Sequence, residues 1–425
     1  STLLKKDRNL LDINYINRVD IKPQDIGILN ENTVEIKTFL IKNKNATLNI
    51  QSSYSSYNSN IQDSIKKEEN IMGRLNYSIK INTFLNINGF YEISNGKEFL
   101  RDFRFIKVNP GYGSFSWIDY NNNGLEEFDE FENSNFSDTA DYIRISFPTN
   151  DFFNVRNLKY HQQVNINPNF NKNKFSSFFS RTRNSFNIQI DKKFLDDDLA
   201  TVINPFSINF SSQNTLSLNF NILNHFTYRS HNNKYFFAYK TKKSLLKNTL
   251  NYGEESTNII SHNIQGQRTL GLMILNIYYE YSSCTMNNQN MINRNYMIDK
   301  NEIRSEFSFD FKKITPSIMF TSIHKKNNND EKLNGQKLHL SVDFLGPKKL
   351  SLNSSIIAFN MNYTGNTFSS LGHDMLDGLS DGKGLDIQFS ILKSINQTNL
   401  SIQYTGRLNE QNIFHSARFE LKRYF

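Results

Sequence analysis

Between Glu302 and Lys312 the residues Ile303, Ser305, Phe307, Phe309 and Phe311 occupy every second position, and Glu302, Arg304, Glu306, Ser308, Asp310 and Lys312 occupy the others. A helix mixes those two sets on one surface, whereas a strand separates them. The same period of two returns at Leu338, Leu340, Val342 and Phe344, at Leu216, Leu218, Phe220 and Ile222, and at Leu75, Tyr77, Ile79 and Ile81. It runs from Val34, Ile36 and Leu40 to Leu385, Ile387, Phe389 and Ile391, and then to Leu400, Ile402 and Tyr404. No stretch sustains a helical period. The breaks are polar and Asn-rich, as at Lys325–Lys332, and Pro110, Pro148, Pro205, Pro316 and Pro347 flank strand runs. With a strand and its connection taking ~20–25 residues, the chain has room for roughly 16–20 strands.

Alternation fits a soluble sandwich and a transmembrane barrel equally. Composition narrows the field around both. Only 37 % of the 425 residues are hydrophobic, yet 36 Phe and 20 Tyr are present, which disordered chains lack. The longest mostly apolar stretch, Leu270–Ile277, is broken by Gly271 and Asn276, so no helix spans a bilayer. The net charge of +8 is spread along the chain rather than clustered, which argues against nucleic acid. Cys284 is the one cysteine, so no internal disulfide forms. The start carries neither Met nor an apolar leader, and the expectation is the C-terminal part of a longer product.

Three features favour the barrel. Mixed charge on one strand side, as in Glu302, Arg304 and Glu306, suits a lumen laced with ion pairs. Aromatic clusters at run ends, Tyr235, Phe236, Phe237 and Tyr239 or Tyr278, Tyr279 and Tyr281, suit interfacial girdles. The last strand, with Phe419, Leu421, Arg423 and Phe425 at alternate positions, ends in an aromatic that resembles the outer-membrane assembly signal. The expected fold is therefore all-β, an antiparallel transmembrane barrel. Strands before 108 and after 141 flank an extramembrane loop at about 109–140, and Phe307, Phe309 and Phe311 face lipid while Glu306 and Asp310 face the lumen.

That loop carries the one motif with defined chemistry. Asp119, Asn121, Asn123, Gly124 and Glu130 match D-x-[DN]-x-[DN]-G-x5-E. Alternate side chains aim oxygens at one centre and Gly124 allows the sharp turn. Leu125 offers its backbone carbonyl, Glu127 acts directly or through water, and Glu130 closes the sphere bidentately. Oxygen donors in that number favour Ca²⁺, in a structural role that pins the loop. The flanks do not read as helices, so this is an EF-like loop on a β scaffold. Catalytic signals are poor. The 8 histidines are scattered, no nucleophile elbow or phosphate loop occurs, and His373–Asp374 reads as a solvated loop.

Gly111–Phe153 (GYGSFSWIDYNNNGLEEFDEFENSNFSDTADYIRISFPTNDFF) resembles a block of large, functionally unassigned outer-membrane β-barrel proteins of the Bacteroidota. There a W-I-D-Y-N-x-[ND]-G loop leads to D-E-F-E, a Y-[IV]-R strand and P-T-N; the matching positions include Trp117, Tyr120, Asp129, Phe131, Glu132, Tyr142, Arg144 and Pro148. The tail is similar too, with Met375–Leu379, Gly382–Lys383, Tyr404–Arg407, His415 and Phe425. The resemblance implies a barrel at the end of a longer precursor and supplies no activity. The expectation is a bacterial outer-membrane protein with a structural, transport or assembly role and no catalytic site. Its partners would be membrane lipid, lipopolysaccharide and, through Phe425, the barrel assembly machinery. A calcium-binding β-sandwich, soluble or surface-anchored, and an outer-membrane enzyme are the alternatives.

Overall fold

The computed structural model describes residues 2–6, 9–22, 27–61, 64–134, 140–168, 178–195, 215–250, 253–347, 349–395, 397–409 and 413–423. In chain order the strands are β1 (Thr2–Lys6), β2 (Asn9–Lys22), β3 (Gly27–Lys42), β4 (Ala46–Ile61), β5 (Ser64–Ile81), β6 (Leu85–Lys107), β7 (Phe115–Trp117), β8 (Phe131–Asn133), β9 (Tyr142–Ile166) and β10 (Thr182–Leu195). They continue as β11 (Thr215–Arg229), β12 (Tyr235–Leu250), β13 (Gly253–Leu270), β14 (Met273–Asn288), β15 (Tyr296–Phe309), β16 (Ile314–Asn327), β17 (Lys332–Gly346), β18 (Leu350–Tyr363), β19 (Gly382–Ile395), β20 (Thr398–Asn409) and β21 (Ile413–Arg423). The α-helix α1 (Ser370–Leu376) lies between β18 and β19.

All 21 strands belong to one sheet, and neighbours along the chain pair antiparallel wherever their register is described, as β2–β3, β14–β15, β16–β17 and β20–β21 do. β7 and β8 have 3 residues each and β1 has 5, which leaves 18 long strands, inside the expected range. The fold class is the expected one, all-β and antiparallel. Asn explains many of the tight turns. Asn82 and Asn233 adopt φ of 50° and 54°, where a short amide is tolerated better than most side chains.

The chain divides into two compact units, Ser1–Arg101 with Pro148–Phe226 and Lys242–Ser256, and Asp102–Phe147 with Thr227–Thr241 and Thr257–Phe425. The first contains a buried cluster of Leu158, Ile190, Phe194, Leu218 and Phe220. It also places Arg74 and Lys159 against the buried Glu92, at 3.3 and 3.2 Å.

The second unit shows how face polarity changes along the strands. Ile318 stands opposite Leu340 and Leu340 opposite Ile356. Ile318 is 48 % exposed and Leu340 41 %. Phe320, Leu338 and Ala358 form the next row on that face. Ser317 and Ser341 share the opposite face through a 2.7 Å hydroxyl contact. Two positions further on, the outer row becomes Ser322, Gln336 and Asn360, and the next is His324, Asn334 and Asn362. There the inner face turns apolar, with Ile323, Leu333, Met361 and Tyr363 buried. The single rule expected from the sequence, apolar outward and polar inward, thus reverses at the end of these strands.

Two smaller expectations are corrected. β15 ends at Phe309, so Asp310 and Lys312 belong to a turn, where Asp310 Oδ1 accepts from the Lys312 N–H at 2.8 Å. Neither is a lumen residue of that strand. Pro148 lies within β9 and Pro316 within β16 rather than beside them. Phe425, the expected assembly signal, is outside the described residues.

Candidate functional site

The motif loop sits between β6 and β9, and β7 and β8 are folded from it. Phe115 pairs with Asn133 and Trp117 with Phe131. Beneath them is a small aromatic core of the loop's own. Phe105 stacks on Phe131 at 4.0 Å between ring centres, and Phe115, Phe128 and Tyr142 meet this pair edge-on. The sequence suggested a long connection that only a cation would order. Paired strands and aromatic contacts already order its described part.

Within the loop, Asp119 Oδ2 accepts from the Gly124 N–H at 2.8 Å and its Oδ1 from the Asn123 N–H at 3.1 Å. Asn121 Oδ1 accepts from Asn123 N at 2.9 Å, and Asn123 Oδ1 from Leu125 N at 2.7 Å. Gly124 has φ of +73°, the conformation for which the motif requires glycine. The Leu125 side chain is 65 % exposed, leaving only its backbone for the role expected of it. Asn121 Nδ2 donates to Glu127 Oε2 at 2.5 Å.

Glu130 is only 2 % exposed. Its Oε2 accepts from Trp117 Nε1 at 2.9 Å and from Glu127 N at 3.4 Å, and its Oε1 from Tyr120 N at 3.2 Å. A buried carboxylate is stable when N–H donors satisfy it. The donor set is all oxygen and suits a hard cation in type. No group of three or more His, Cys, Asp or Glu is gathered to hold a metal among the described residues. The three acids expected as ligands, Asp119, Glu127 and Glu130, are drawn instead into hydrogen bonds with the loop's backbone and side chains.

Residues distant in sequence lock this loop to its neighbours. Arg294, in the 3-10 turn Ile292–Arg294, donates from Nη2 to Asp129 O at 2.9 Å, Phe131 O at 3.0 Å and Glu132 Oε1 at 3.0 Å. Tyr120 OH donates to the same Glu132 oxygen at 3.0 Å. Burial, reinforced by that carboxylate, holds the Tyr120 hydroxyl far above its ordinary ionisation range.

α1 joins the group from another loop. His373 Nε2 lies 3.4 Å from Asn133 O, and Tyr296 OH donates to Asp374 Oδ2 at 2.6 Å. His373–Asp374, read from sequence as solvated, is therefore part of the packing. Met375 and Leu376 are buried with Tyr296, Ile298, Ile323, Leu333 and Met361. Lys325 donates to Asp374 O and to Asp377 Oδ1, both at 2.7 Å. Arg294, Tyr296 and Lys325 carry no sequence signal of these roles. The tail segment Met375–Leu379, singled out by resemblance without a role, contains the end of α1 and its left-handed cap at Asp377.

Below this crown, Glu280, Lys300, Glu302 and Arg304 form a closed set of ion pairs, Lys300 to Glu280 at 3.0 Å and to Glu302 at 2.9 Å, and Arg304 to Glu280 at 3.2 Å and to Glu302 at 2.7 Å. The expected lacing of mixed charge is present on this face.

No family model matches the chain, and neither does any curated protein. Among solved structures, the outer-membrane protein OmpT of Vibrio cholerae is 10 % identical, over 92 % of this chain and 98 % of that one, with a TM-score of 0.30. The FrpB iron transporter of Neisseria meningitidis, in its apoprotein form, is 8 % identical over 98 % of this chain and 68 % of that one, with a TM-score of 0.39. The translocation pore of the P pilus usher PapC is 8 % identical over 93 % and 96 %, with a TM-score of 0.15. Scores this low leave the fold assignment resting on the chain's own sheet.

Proposed function

We propose that the chain is an integral β-barrel protein of a bacterial outer membrane, with a structural, transport or assembly role and no catalytic function. The observation that carries this reading is the pair of exposed apolar rows, Ile318–Leu340–Ile356 and Phe320–Leu338, together with the mutually paired Glu280, Lys300, Glu302 and Arg304 on the neighbouring β14 and β15. Water does not favour such an outer face, and hydrocarbon does. Lipid, including lipopolysaccharide, is then the surrounding partner, and the rows at Ser322 and His324 mark where the strands leave the hydrocarbon. Barrels of this kind place short turns on the periplasmic side and long loops outside. The short connections at 310–313 and 347–349 then face the periplasm, and the crown of the motif loop and α1 faces outward. Phe425 would engage the assembly machinery at the periplasmic end.

Calcium belongs to the same proposal as a structural ion of the crown. Asp119, Asn121, Asn123, the Leu125 carbonyl, Glu127 and Glu130 would hold it, and it would relieve repulsion among the acids.

The test places an environment-sensitive fluorophore at Leu340→Cys or at Asn334→Cys, in a Cys284→Ser background reconstituted into lipid vesicles. Blue-shifted emission quenched by lipid-borne quenchers at 340 but not at 334 is expected, together with heat-modifiable migration in detergent gels. Water-exposed emission at both positions would overturn the membrane reading in favour of a soluble sandwich.

A further inference from the structure

The strongest unexplained feature lies at α1. Lys325 is buried on the inner face of β16, with only 3 % of its side chain exposed, and its partner Asp377 is 44 % exposed. A cation sealed that well depends on its partner, because removing one member of a buried pair leaves an uncompensated charge. Asp377 is also the αL cap of α1, with φ of 54°, and Gly378 follows at 71°. The side chain that neutralises Lys325 is thus carried at the C-terminal cap of the helix itself. At the other end, Ser369 caps the helix by accepting from Gly372 N at 2.9 Å, and the preceding Phe368 lies exposed.

What lies beneath matters as much. The charged layer of Glu280, Lys300, Glu302 and Arg304 is satisfied by its own four ion pairs. Lifting α1 would therefore orphan none of those four charges, although it would take Asp377 away from the neighbouring Lys337 as well as from Lys325. The opposition to lifting comes from the apolar underside, Met375 and Leu376, from the Tyr296–Asp374 bond, from the contact of His373 with Asn133 O, and from Lys325.

We infer that the segment containing α1 is a releasable strap over the inner face of β15–β18, and that the Lys325–Asp377 ion pair is its latch. Release exposes the apolar inner rows around Ile323 and Met361 and the polar layer below them. The device does not use the proposed calcium ligands, since its latch joins β16 to α1.

The chain supplies its own reporter. Cys284 stands on β14 opposite Ile298, partly buried, with Asp374 and Lys325 as its charged neighbours. Full-length protein in detergent micelles is treated with a water-soluble maleimide, and hydrogen exchange is followed by mass spectrometry. In Asp377→Asn, labelling of Cys284 and exchange of the amides at 370–378 should both rise about a hundred-fold, the scale set by an unpaired buried charge, while β14–β17 amides stay protected. Replacing both partners, Lys325→Met with Asp377→Asn, removes the stranded charge and should return both readouts to within about ten-fold of wild type. Three results would overturn the latch: unchanged labelling in Asp377→Asn, loss of protection spreading equally through β14–β17, or a double variant as open as the single one. Heat-modifiable migration of each variant separates failure of the latch from failure of the barrel.

Discussion

Trp117 donates its indole N–H to Glu130 Oε2 at 2.9 Å, so the only tryptophan of the chain touches the carboxylate that closes the motif loop. Emission from this residue reports directly on how Glu130 is engaged. If Ca²⁺ enters the loop and recruits Glu130, the carboxylate must redistribute its contacts with Trp117, Tyr120 and Glu127. Trp117 emission should then shift between millimolar calcium and excess chelator. Identical spectra in the two conditions would remove the calcium reading.

Glu130→Ala tests the same carboxylate without metal. It strands three N–H groups, of which the Trp117 indole is part-buried, and each buried unsatisfied donor costs about 1–3 kcal/mol. The motif loop should become protease-sensitive while heat-modifiable migration persists. Glu130→Gln keeps an acceptor and should fall between wild type and Ala.

Arg294 ties the crown together with one nitrogen and three acceptors, two of them backbone carbonyls. All three contacts start from one nitrogen, and the lysine ammonium also carries three donors on one nitrogen, so Arg294→Lys should recover part of what Arg294→Ala removes. The expected loss is about 2–4 kcal/mol of local crown stability, from hydrogen bonds to a charged donor. Hydrogen exchange at 128–134 would reveal it, and unchanged protection in the Ala variant would contradict it.

Tyr120 gives the crown an alkaline limit. Its hydroxyl is held neutral in the folded state by burial and by Glu132, while in the unfolded chain it ionises near its ordinary value of about 10. A raised folded pKa contributes stability that is complete below about pH 10 and declines as pH rises beyond it. The loop should therefore open before the barrel in alkaline titration, read by Trp117 emission. Tyr120→Phe should shift that opening to higher pH.

For the membrane face, the informative pair is Leu340 and Ser341, adjacent in sequence and on opposite faces of β17. Leu340→Arg should cost ~2–4 kcal/mol in reversible unfolding from vesicles if the site lies near the bilayer midplane, and Ser341→Arg much less. Equal losses would contradict the assigned orientation. Phe309 is less suited to this test, because it ends its strand.

Period-two patterning was enough to locate most strands, since the pleat alone dictates which side chains share a face. It could therefore determine the class and the approximate strand number without any knowledge of neighbours. The Asp119–Glu130 turn was equally legible, because its geometry is local and Gly124 sits where a positive φ is needed. The tertiary structure decided what could not be local. A strand pattern read as one uniform rule cannot show that Leu333 and Met361 face inward as a buried core while Leu338 and Leu340 face outward, because the difference lies in what covers each row. The same holds for Arg294 with Glu132 and for Lys325 with Asp377, 162 and 52 residues apart. Their pairing depends on strand register and loop return, which bring distant charges within 3 Å, and no spacing along the chain records it.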